Sequence, residues 1–244
     1  MTKTADFIQR WITGPLKHLI DPRQCAMCQR VLPIGSDYFC SDCLRKLPLT
    51  EEGWHRDNRV ECLFADMHKF TRGAAYCFYP AHHPIRNAIQ LMKFSSQPEI
   101  GREMGRMAAQ AWAESSFFEG IDYLIPLPLH LKRLRERGYN QAEWIAMGIR
   151  DVTGIPIDTK HLYRTHNNTH QSKKNLTDRR ELTQIFGVHQ PNDLREKHVL
   201  LIDDVITSGT TMLRAMEALH PIYRCHYSVF ALAIAHQQIT VFTY

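Results

Sequence analysis

The sequence predicts an α/β protein in which a parallel sheet follows a small module built on four cysteines. Two patterns lead to this prediction. Apolar segments of strand length alternate with segments of helical periodicity from residue 73 onward, as in a parallel sheet with crossover helices. Four of the seven cysteines, in contrast, lie within residues 25–43. We therefore expect an N-terminal amphipathic helix in 1–20, the cysteine module and a linker in 21–70, and the α/β domain in 71–244.

Each element of the α/β domain is predicted from its apolar pattern. The expected strands are 74–79, 122–129, 198–203 and 227–235, and the expected helices are 84–94, 99–116, 140–154 and 211–219. The segment 198–203 is apolar almost throughout, which a central parallel strand requires because both of its faces are buried. Gly154 is expected to end the third helix, and Pro221 the last one.

The composition excludes some classes of protein. The formal net charge is +5, a basic excess that suits phosphate-bearing partners. No apolar stretch approaches the ~18 to 20 residues that a membrane span needs. Residues 1–20 carry charged side chains where a signal peptide needs an apolar segment. We therefore expect a cytoplasmic protein with reduced cysteines.

The clustered cysteines form two CxxC pairs separated by 11 residues: Cys25, Cys28, Cys40 and Cys43. Two such turns can complete the tetrahedral shell of a Zn²⁺ ion. Four protein ligands leave no open position, so the predicted site is structural. A redox CxxC pair or a chance cluster is the alternative. Cys77 and Cys225 flank strand-like segments and are expected to pack as small apolar side chains.

The segment 199–211, VLLIDDVITSGTT, joins a buried strand to a helix through a turn of small polar residues. Ligands of open α/β sheets bind at the carboxyl ends of the strands. A glycine lets backbone N–H groups approach a ligand closely, and a helix N-terminus favours an anion. A phosphate-binding loop is therefore predicted at Thr207, Ser208, Gly209, Thr210 and Thr211. The alternative is a Ser/Thr helix cap that binds no ligand.

Asp203 and Asp204 lie directly before this turn. Carboxylates only accept hydrogen bonds, which suits the vicinal hydroxyls of a ribose and a hydrated Mg²⁺. Successive side chains of a strand point to opposite faces, so both acids can reach one ligand only if the strand ends there. The predicted ligand is a ribose 5-phosphate with Mg²⁺.

The segment VLLIDDVITSGTT resembles the signature of type I phosphoribosyltransferases. Further stretches resemble the ComF/GntX branch of that superfamily, the competence-protein family, over nearly the whole chain: the CxxC pairs, IRNAIQLMKF (85–94), IPLPLHLKRLRERGYNQAEWIA (125–146) and THQSKKNLTDRR (169–180). This resemblance implies a Rossmann-like phosphoribosyltransferase domain behind a zinc module, and an association with natural competence and DNA uptake during transformation. It also implies phosphoribosyl pyrophosphate with Mg²⁺ as ligand. Asp203 and Asp204 would hold the ribose hydroxyls and Mg²⁺, and residues 207–211 the 5-phosphate.

Two basic segments receive roles from the same resemblance. Residues 129–138 follow a strand at the place where related enzymes hold pyrophosphate, and they offer Arg133 and Arg137. The polar stretch 170–180, with Lys173 and Lys174, corresponds to a mobile hood over the substrate. From the residues alone, the first segment could equally be a solvated helix face or a nucleic-acid contact.

The sequence leaves catalysis open. Purine-salvage members of the superfamily carry a carboxylate where this chain has Thr207, so no general base is visible. The first hypothesis is a phosphoribosyltransferase. The second is a non-catalytic, single-stranded DNA-binding or competence-machinery accessory protein that uses the fold as a ribose-phosphate reader. A metabolite sensor without turnover is the third. The acceptor and the oligomeric state are not predicted.

Overall fold

The computed structural model describes residues 23–165, 185–189 and 194–235. Its strands are β1 (Phe70–Tyr79), β2 (Tyr123–Pro126), β3 (Leu162–Arg164), β4 (Phe186–Val188), β5 (His198–Ile206) and β6 (His226–Ala235). Its helices are α1 (Ser41–Arg45), α2 (Arg59–Cys62), α3 (Ile85–Phe94), α4 (Glu99–Ala111), α5 (Leu131–Arg137), α6 (Gln141–Thr153) and α7 (Thr210–Tyr223). The helix predicted in 1–20, and Lys173 and Lys174, lie outside the described residues.

Four strands form one parallel sheet in the order β1-β6-β5-β2. The two central strands, β5 and β6, are buried along most of their length, because helices cover both faces of the sheet. Strands β3 and β4 pair separately as an antiparallel ribbon. The predicted α/β class and the parallel sheet are thus confirmed.

The two faces of the sheet carry separate apolar clusters. One cluster joins the sheet to α3, α4, α6 and the cysteine module, and it includes Leu200 and Ile202 of β5. The other joins the sheet to α7 and the β3-β4 ribbon, and it includes Val199 and Leu201. Because side chains alternate along a strand, Asp204 continues the first face and Asp203 the second.

Five element boundaries differ from the sequence prediction by three residues or more. Strand β1 begins at Phe70 instead of residue 74, and β2 ends at Pro126 instead of residue 129. Helix α4 ends at Ala111 instead of residue 116, because the buried ring of Trp112 packs against Phe117 and Phe230. Helix α7 continues through Pro221 to Tyr223, since a proline in the last turn removes only one of the helix hydrogen bonds. Strand β5 continues beyond residue 203 to Ile206 because it keeps pairing with β6.

The segment between the cysteine module and β1 covers the outer edge of the sheet. The backbone at Pro48 and Thr50 bonds to β1, through Phe78 N to Pro48 O (2.7 Å) and Thr50 N to Tyr76 O (3.2 Å). The chain then crosses to the opposite face, where Phe64 is buried. An edge strand covered in this way presents fewer unpaired backbone groups.

Across the described ranges, no helix combines the length and the apolar character that a bilayer crossing would need.

Candidate functional site

The turn 207–209 joins β5 to α7 at the carboxyl edge of the sheet, as predicted from the sequence. Gly209 is the N-cap of α7 with φ of 73°, and no described side chain caps this helix. The N–H groups of a first helical turn have no partner within the helix, so those of α7 are available to a ligand. Thr207, Ser208 and Thr210 are exposed around them, with Ser208 Oγ 2.8 Å from Thr210 Oγ1. We call residues 207–211 the phosphate loop, after the role that the sequence predicts for them.

Gly209 lies directly on the segment that covers the sheet. A Cβ atom at this position would come within 2.9 Å of Phe64 Cζ and 3.5 Å of Leu63 Cβ. Phe64 is itself fixed against Phe70, with ring centroids 5.4 Å apart. The phosphate loop therefore needs glycine here for two reasons, its positive φ and the close approach of Phe64.

Asp204 is buried and bound at both carboxylate oxygens. Lys93 Nζ of α3 lies 3.0 Å from Oδ1, and Gln141 Nε2 of α6 donates to Oδ2 at 2.8 Å. Arg137 Nη1 in turn donates to Gln141 Oε1 at 2.9 Å. Asp204 is thus the centre of a network that ties β5 to α3, α5 and α6.

Asp203 occupies the other face and has different surroundings. Its Oδ1 accepts a hydrogen bond from the backbone N of Asp204 at 2.8 Å. Burial raises the pKa of Asp203, and the neighbouring Asp204 raises it further, while Lys93 and Arg164 act in the opposite direction. The expectation that the strand ends at the acids is wrong, because β5 continues to Ile206. The two acids are therefore not equivalent.

Arg164, at the end of β3, was missed by the sequence analysis. Burial lowers its pKa, Arg133 lowers it further, and Asp203 raises it. Its Nε is buried and has no hydrogen-bond partner among the described residues. Arg164 thus combines a buried, unpartnered donor atom with a charge that acts on Asp203, and its guanidinium lies 5.5 Å from the ring centroid of Phe186. A free donor on a cation can bind an anion.

A pocket of about 440 Å³ opens at Lys93, the residue that pairs with Asp204. The residues that line it include Lys93, Phe94, Arg133, Glu136, Arg137 and Tyr139. Arg133 and Arg137 share one face of α5, as residues four apart do, so the structure brings these two predicted residues together. Lys132 and Arg135 are exposed and do not line the pocket. We call Lys93, Arg133, Arg137 and Arg164 the cation side.

Lys93 and Gln141 were also not singled out from the sequence as site residues. Gln141 starts α6, directly after Asn140, whose side chain caps the helix through Ala142 N and donates to Leu127 O. The sequence did offer a signal for Gln141, because this amide residue follows a helix cap at the end of a basic segment. Lys93 offered a weaker signal, since it is a single cation at the end of an amphipathic helix.

Comparison with known proteins identifies the family. The phosphoribosyl transferase domain matches residues 137–237. Competence protein ComFC of Bacillus subtilis (strain 168) is 36% identical over 193 residues, which cover 77% of this chain and 68% of that protein. The chain belongs to the ComF family. Competence protein F of Haemophilus influenzae is 29% identical over 202 residues, 78% of this chain and 87% of that protein.

Among solved structures, the glutamine phosphoribosylpyrophosphate amidotransferase from B. subtilis is 19% identical, with a TM-score of 0.37 over 55% of this chain and 26% of that one. The residues that match the phosphoribosyl transferase domain, 137–237, include the phosphate loop, both acids and Arg164. The family match thus supports a type I phosphoribosyltransferase domain in the α/β part, as the resemblance implied.

The cysteine module lies in front of that domain. The four sulfur atoms of Cys25, Cys28, Cys40 and Cys43 all lie within 4.8 Å of one another, and Cys28 Sγ is 3.8 Å from Cys40 Sγ. A tetrahedral zinc site with Zn–S of about 2.3 Å separates its sulfurs by about 3.8 Å. The donor set therefore fits a single thiolate-bound ion, and none of these cysteines forms a disulfide.

The pKa values of the thiols differ among the cysteines of this module. The hydrogen bond from Arg30 Nε, at 3.5 Å, lowers the pKa of the Cys28 thiol to about 6. Burial raises the pKa of Cys43. Cys77 and Cys225 are fully buried in the two apolar clusters, which confirms their prediction as packing residues.

Proposed function

We propose that this ComF protein binds phosphoribosyl pyrophosphate, or a related ribose 5-phosphate, together with Mg²⁺, and that it serves DNA uptake in natural competence. The observation that carries the proposal is the position of two acids next to the uncapped N-terminus of α7. The names of the ComF relatives support the link to competence. A cytoplasmic location remains a prediction.

The phosphate loop would take the 5-phosphate. Hydrogen bonds to a charged group contribute about 1.5–3 kcal/mol each, so four of them give a gross term on the order of 10 kcal/mol. Desolvation and lost mobility reduce that term, and contacts to the sugar must supply part of the affinity. Asp203 is the acid whose carboxylate has no side-chain hydrogen bond or ion pair among the described residues, whereas Lys93 and Gln141 already occupy Asp204. We assign Asp203 to the ribose diol and Mg²⁺, with Asp204 completing the negative end of the site.

The cation side would take the pyrophosphate. Lys93, Arg133 and Arg137 line one pocket, and Arg164 has a buried Nε without a partner among the described residues. A diphosphate would pair with these cations. Lys173 and Lys174, in the predicted hood, are proposed to add to it. Thr207 cannot act as a general base, so a transfer reaction here would depend on stabilising the departing pyrophosphate.

A calorimetric titration of phosphoribosyl pyrophosphate with and without Mg²⁺ tests this proposal. Saturable, Mg²⁺-dependent binding is expected, and Asp203→Asn should weaken it at least tenfold. Asp57→Asn is the matched control, because Asp57 is exposed and asparagine tolerates its positive φ of 57°. Absence of saturable binding by the wild-type protein would overturn the proposal. Mass-spectrometric detection of released pyrophosphate then separates turnover from binding alone.

Zinc is the ion we propose for the cysteine cluster. Zn²⁺ with four thiolates has no open position, so the role is structural. The protein as purified should contain one zinc per chain, and a strong chelator should lower its melting temperature. A protein that keeps the same melting temperature after the metal is removed would contradict a structural role.

A second function is favoured by the outward face of α5, where Lys132 and Arg135 are exposed and away from the pocket. Such cations suit the backbone of single-stranded DNA. Binding of that kind weakens steeply with salt. If anisotropy shows no binding of a labelled single strand at low salt, this second function is excluded.

A further inference from the structure

The phosphate loop packs against a segment that lies outside the matched domain. Gly209 contributes no side chain, and a Cβ atom built there would meet Phe64 Cζ at 2.9 Å, Phe64 Cε1 at 3.1 Å and Leu63 Cβ at 3.5 Å. Leu63 and Phe64 thus fill the space behind the loop, whereas the phosphoribosyl transferase domain matches residues 137–237. The turn that presents the N–H groups of α7 is therefore backed by the linker that follows the cysteine module.

Phe64 is held firmly in this position. It is 2% exposed, its ring centroid lies 5.4 Å from that of Phe70, and it belongs to the same apolar cluster as Met212 of α7. Its backbone N also donates to Glu61 O at 3.0 Å. The ring therefore cannot move away from Gly209 without breaking these contacts.

Helix α2, directly before Leu63, is anchored on β1. Asn58 Nδ2 donates to Gly73 O at 2.7 Å, and Glu61 Oε1 accepts from Gly73 N at 3.3 Å. Val60 is fully buried and lies so close to the strand that a Cβ atom on Gly73 would come within 2.7 Å of Val60 Cγ1. The linker is thus fixed to the sheet directly before it reaches the phosphate loop.

Such a support matters for phosphate binding because the loop turns at a glycine. Glycine populates positive and negative φ about equally, and fixing the backbone of any residue costs conformational entropy. A ligand must supply that cost on binding unless the loop is already ordered. A wall that holds Gly209 at its φ of 73° arranges the N–H groups of α7 before the ligand binds.

We propose that Phe64 is a positioning residue for the 5-phosphate, and that residues 58–64 complete the phosphate loop from outside the phosphoribosyltransferase domain. The inference rests on the proposed function, because it assigns a support to the same sugar-phosphate site. Phe64 is buried and acts through Gly209, not on the ligand itself. Its effect is therefore limited to the phosphate that the loop holds and does not extend to a pyrophosphate on the cation side.

Titration of the full chain with ribose 5-phosphate and with pyrophosphate, both with Mg²⁺, tests this role. Phe64→Leu removes the ring edge that faces Gly209. Since one hydrogen bond to a charged group changes affinity by about tenfold or more, the affinity for ribose 5-phosphate should fall at least tenfold, and that for pyrophosphate should stay within about twofold. An equal loss for both ligands would show that the ring only stabilises the fold, and would overturn the proposal.

Phe117→Leu is the matched control. Phe117 is equally buried, at 1% exposure, and its ring packs on Trp112 in the cluster on the opposite face of the sheet. The same truncation there should change neither affinity. If it weakens ribose 5-phosphate binding as much as Phe64→Leu does, the positioning role is wrong. Far-ultraviolet circular dichroism checks that each variant is folded.

A double-mutant cycle with Gly209→Ala tests the contact itself. The added methyl group meets the ring of Phe64 in the wild type but has space in Phe64→Leu, whereas the cost of a side chain at positive φ is the same in both backgrounds. The loss of ribose 5-phosphate affinity caused by Gly209→Ala should therefore be at least about threefold smaller in the Phe64→Leu background. Equal losses in the two backgrounds would show that ring and loop act independently.

Amide hydrogen exchange measures the support without any ligand. Leu213 N donates to Gly209 O at 3.0 Å, so exchange at Leu213 reports local opening of the loop, and it should be about tenfold faster in Phe64→Leu than in Phe117→Leu. If exchange rises in this way but the wild type binds neither ribose 5-phosphate nor phosphoribosyl pyrophosphate, the proposed function is wrong and the support stands. If the wild type binds ribose 5-phosphate and Phe64→Leu alters neither exchange nor affinity, the positioning role is wrong.

Discussion

The phosphate loop and the cation side of this ComF protein are assembled in different ways. The loop consists of five consecutive residues at one turn and one helix start. The cation side takes its members from α3, α5 and β3. Backbone N–H groups are positioned by the local turn itself, whereas long side chains converge only after distant elements have packed. The loop should therefore be sensitive to changes within it, and the cation side to the loss of any single partner.

Among the substitutions, the largest effect on stability is expected for Lys93→Met. This change leaves the buried carboxylate of Asp204 without its cation, and breaking a buried pair costs about 3 kcal/mol. The free energy of unfolding, measured with urea, should fall by about that amount. Lys132→Met is the control, because the ion pair of this exposed lysine contributes at most about 1 kcal/mol. Adding Asp204→Asn to Lys93→Met should restore part of the stability, and no restoration would show that the pair is not the cause.

Gly209→Ala tests the loop. A side chain at positive φ costs about 1–2 kcal/mol, and Phe64 adds crowding at 2.9 Å. We expect a loss of about 2 kcal/mol in stability and a marked loss of affinity for ribose 5-phosphate. Gly154→Ala is a matched control with the same φ of 73° and nothing within 4 Å. Equal losses in the two variants would show that Phe64 does not shape the loop.

Arg164→Ala should separate binding from stability. Charge-assisted hydrogen bonds contribute about 1.5–3 kcal/mol, so the affinity for pyrophosphate should fall about tenfold in competition with phosphoribosyl pyrophosphate. The stability should change by at most about 1 kcal/mol, because Arg164 makes no ion pair with a described acid and loses mainly its cation–π contact with Phe186, 5.5 Å from the ring centroid. Arg135→Ala, on the outward face of α5, is expected to change neither quantity. A large loss of stability in Arg164→Ala would contradict a binding role.

The smallest effect on binding is expected from pH. Burial raises the pKa of Asp203 to about 7, so the folded state holds a proton that the unfolded state releases at a lower pH. Stability contributed by this group is therefore lost as the pH rises from the usual range of an aspartate to about 7. Mg²⁺ needs the carboxylate, so affinity for the Mg²⁺-bound ligand should rise by up to about tenfold between pH 6 and 8.

Comparison of Kd values for the wild type and Asp203→Asn at pH 6 and 8 isolates this contribution from the titration of the ligand's own phosphate. If both proteins show the same pH dependence, Asp203 is not the titrating group.

The sequence predictions were accurate where a feature depends on nearby residues and less accurate where it depends on distant contacts. Helix α3 was predicted to within one residue, and Gly154 was correctly expected to end α6, because periodicity and a C-terminal glycine are local signals. Helix α4 was predicted too long, since the core position of Trp112 depends on Phe230, more than a hundred residues away. The acids were expected at a strand end, but pairing with β6 continues past them.

The sequence by itself determined the parallel α/β class, the glycine turn after β5, and the four cysteines that converge on one point. Each depends on residues close together in the chain, where backbone conformation and spacing are decisive. Only the tertiary structure decided that Asp203 and Asp204 differ, that Lys93 and Gln141 hold one of them, and that Phe94 stands at the pocket. These properties arise from contacts between segments far apart in the chain, and no local pattern encodes which side chains such packing brings together.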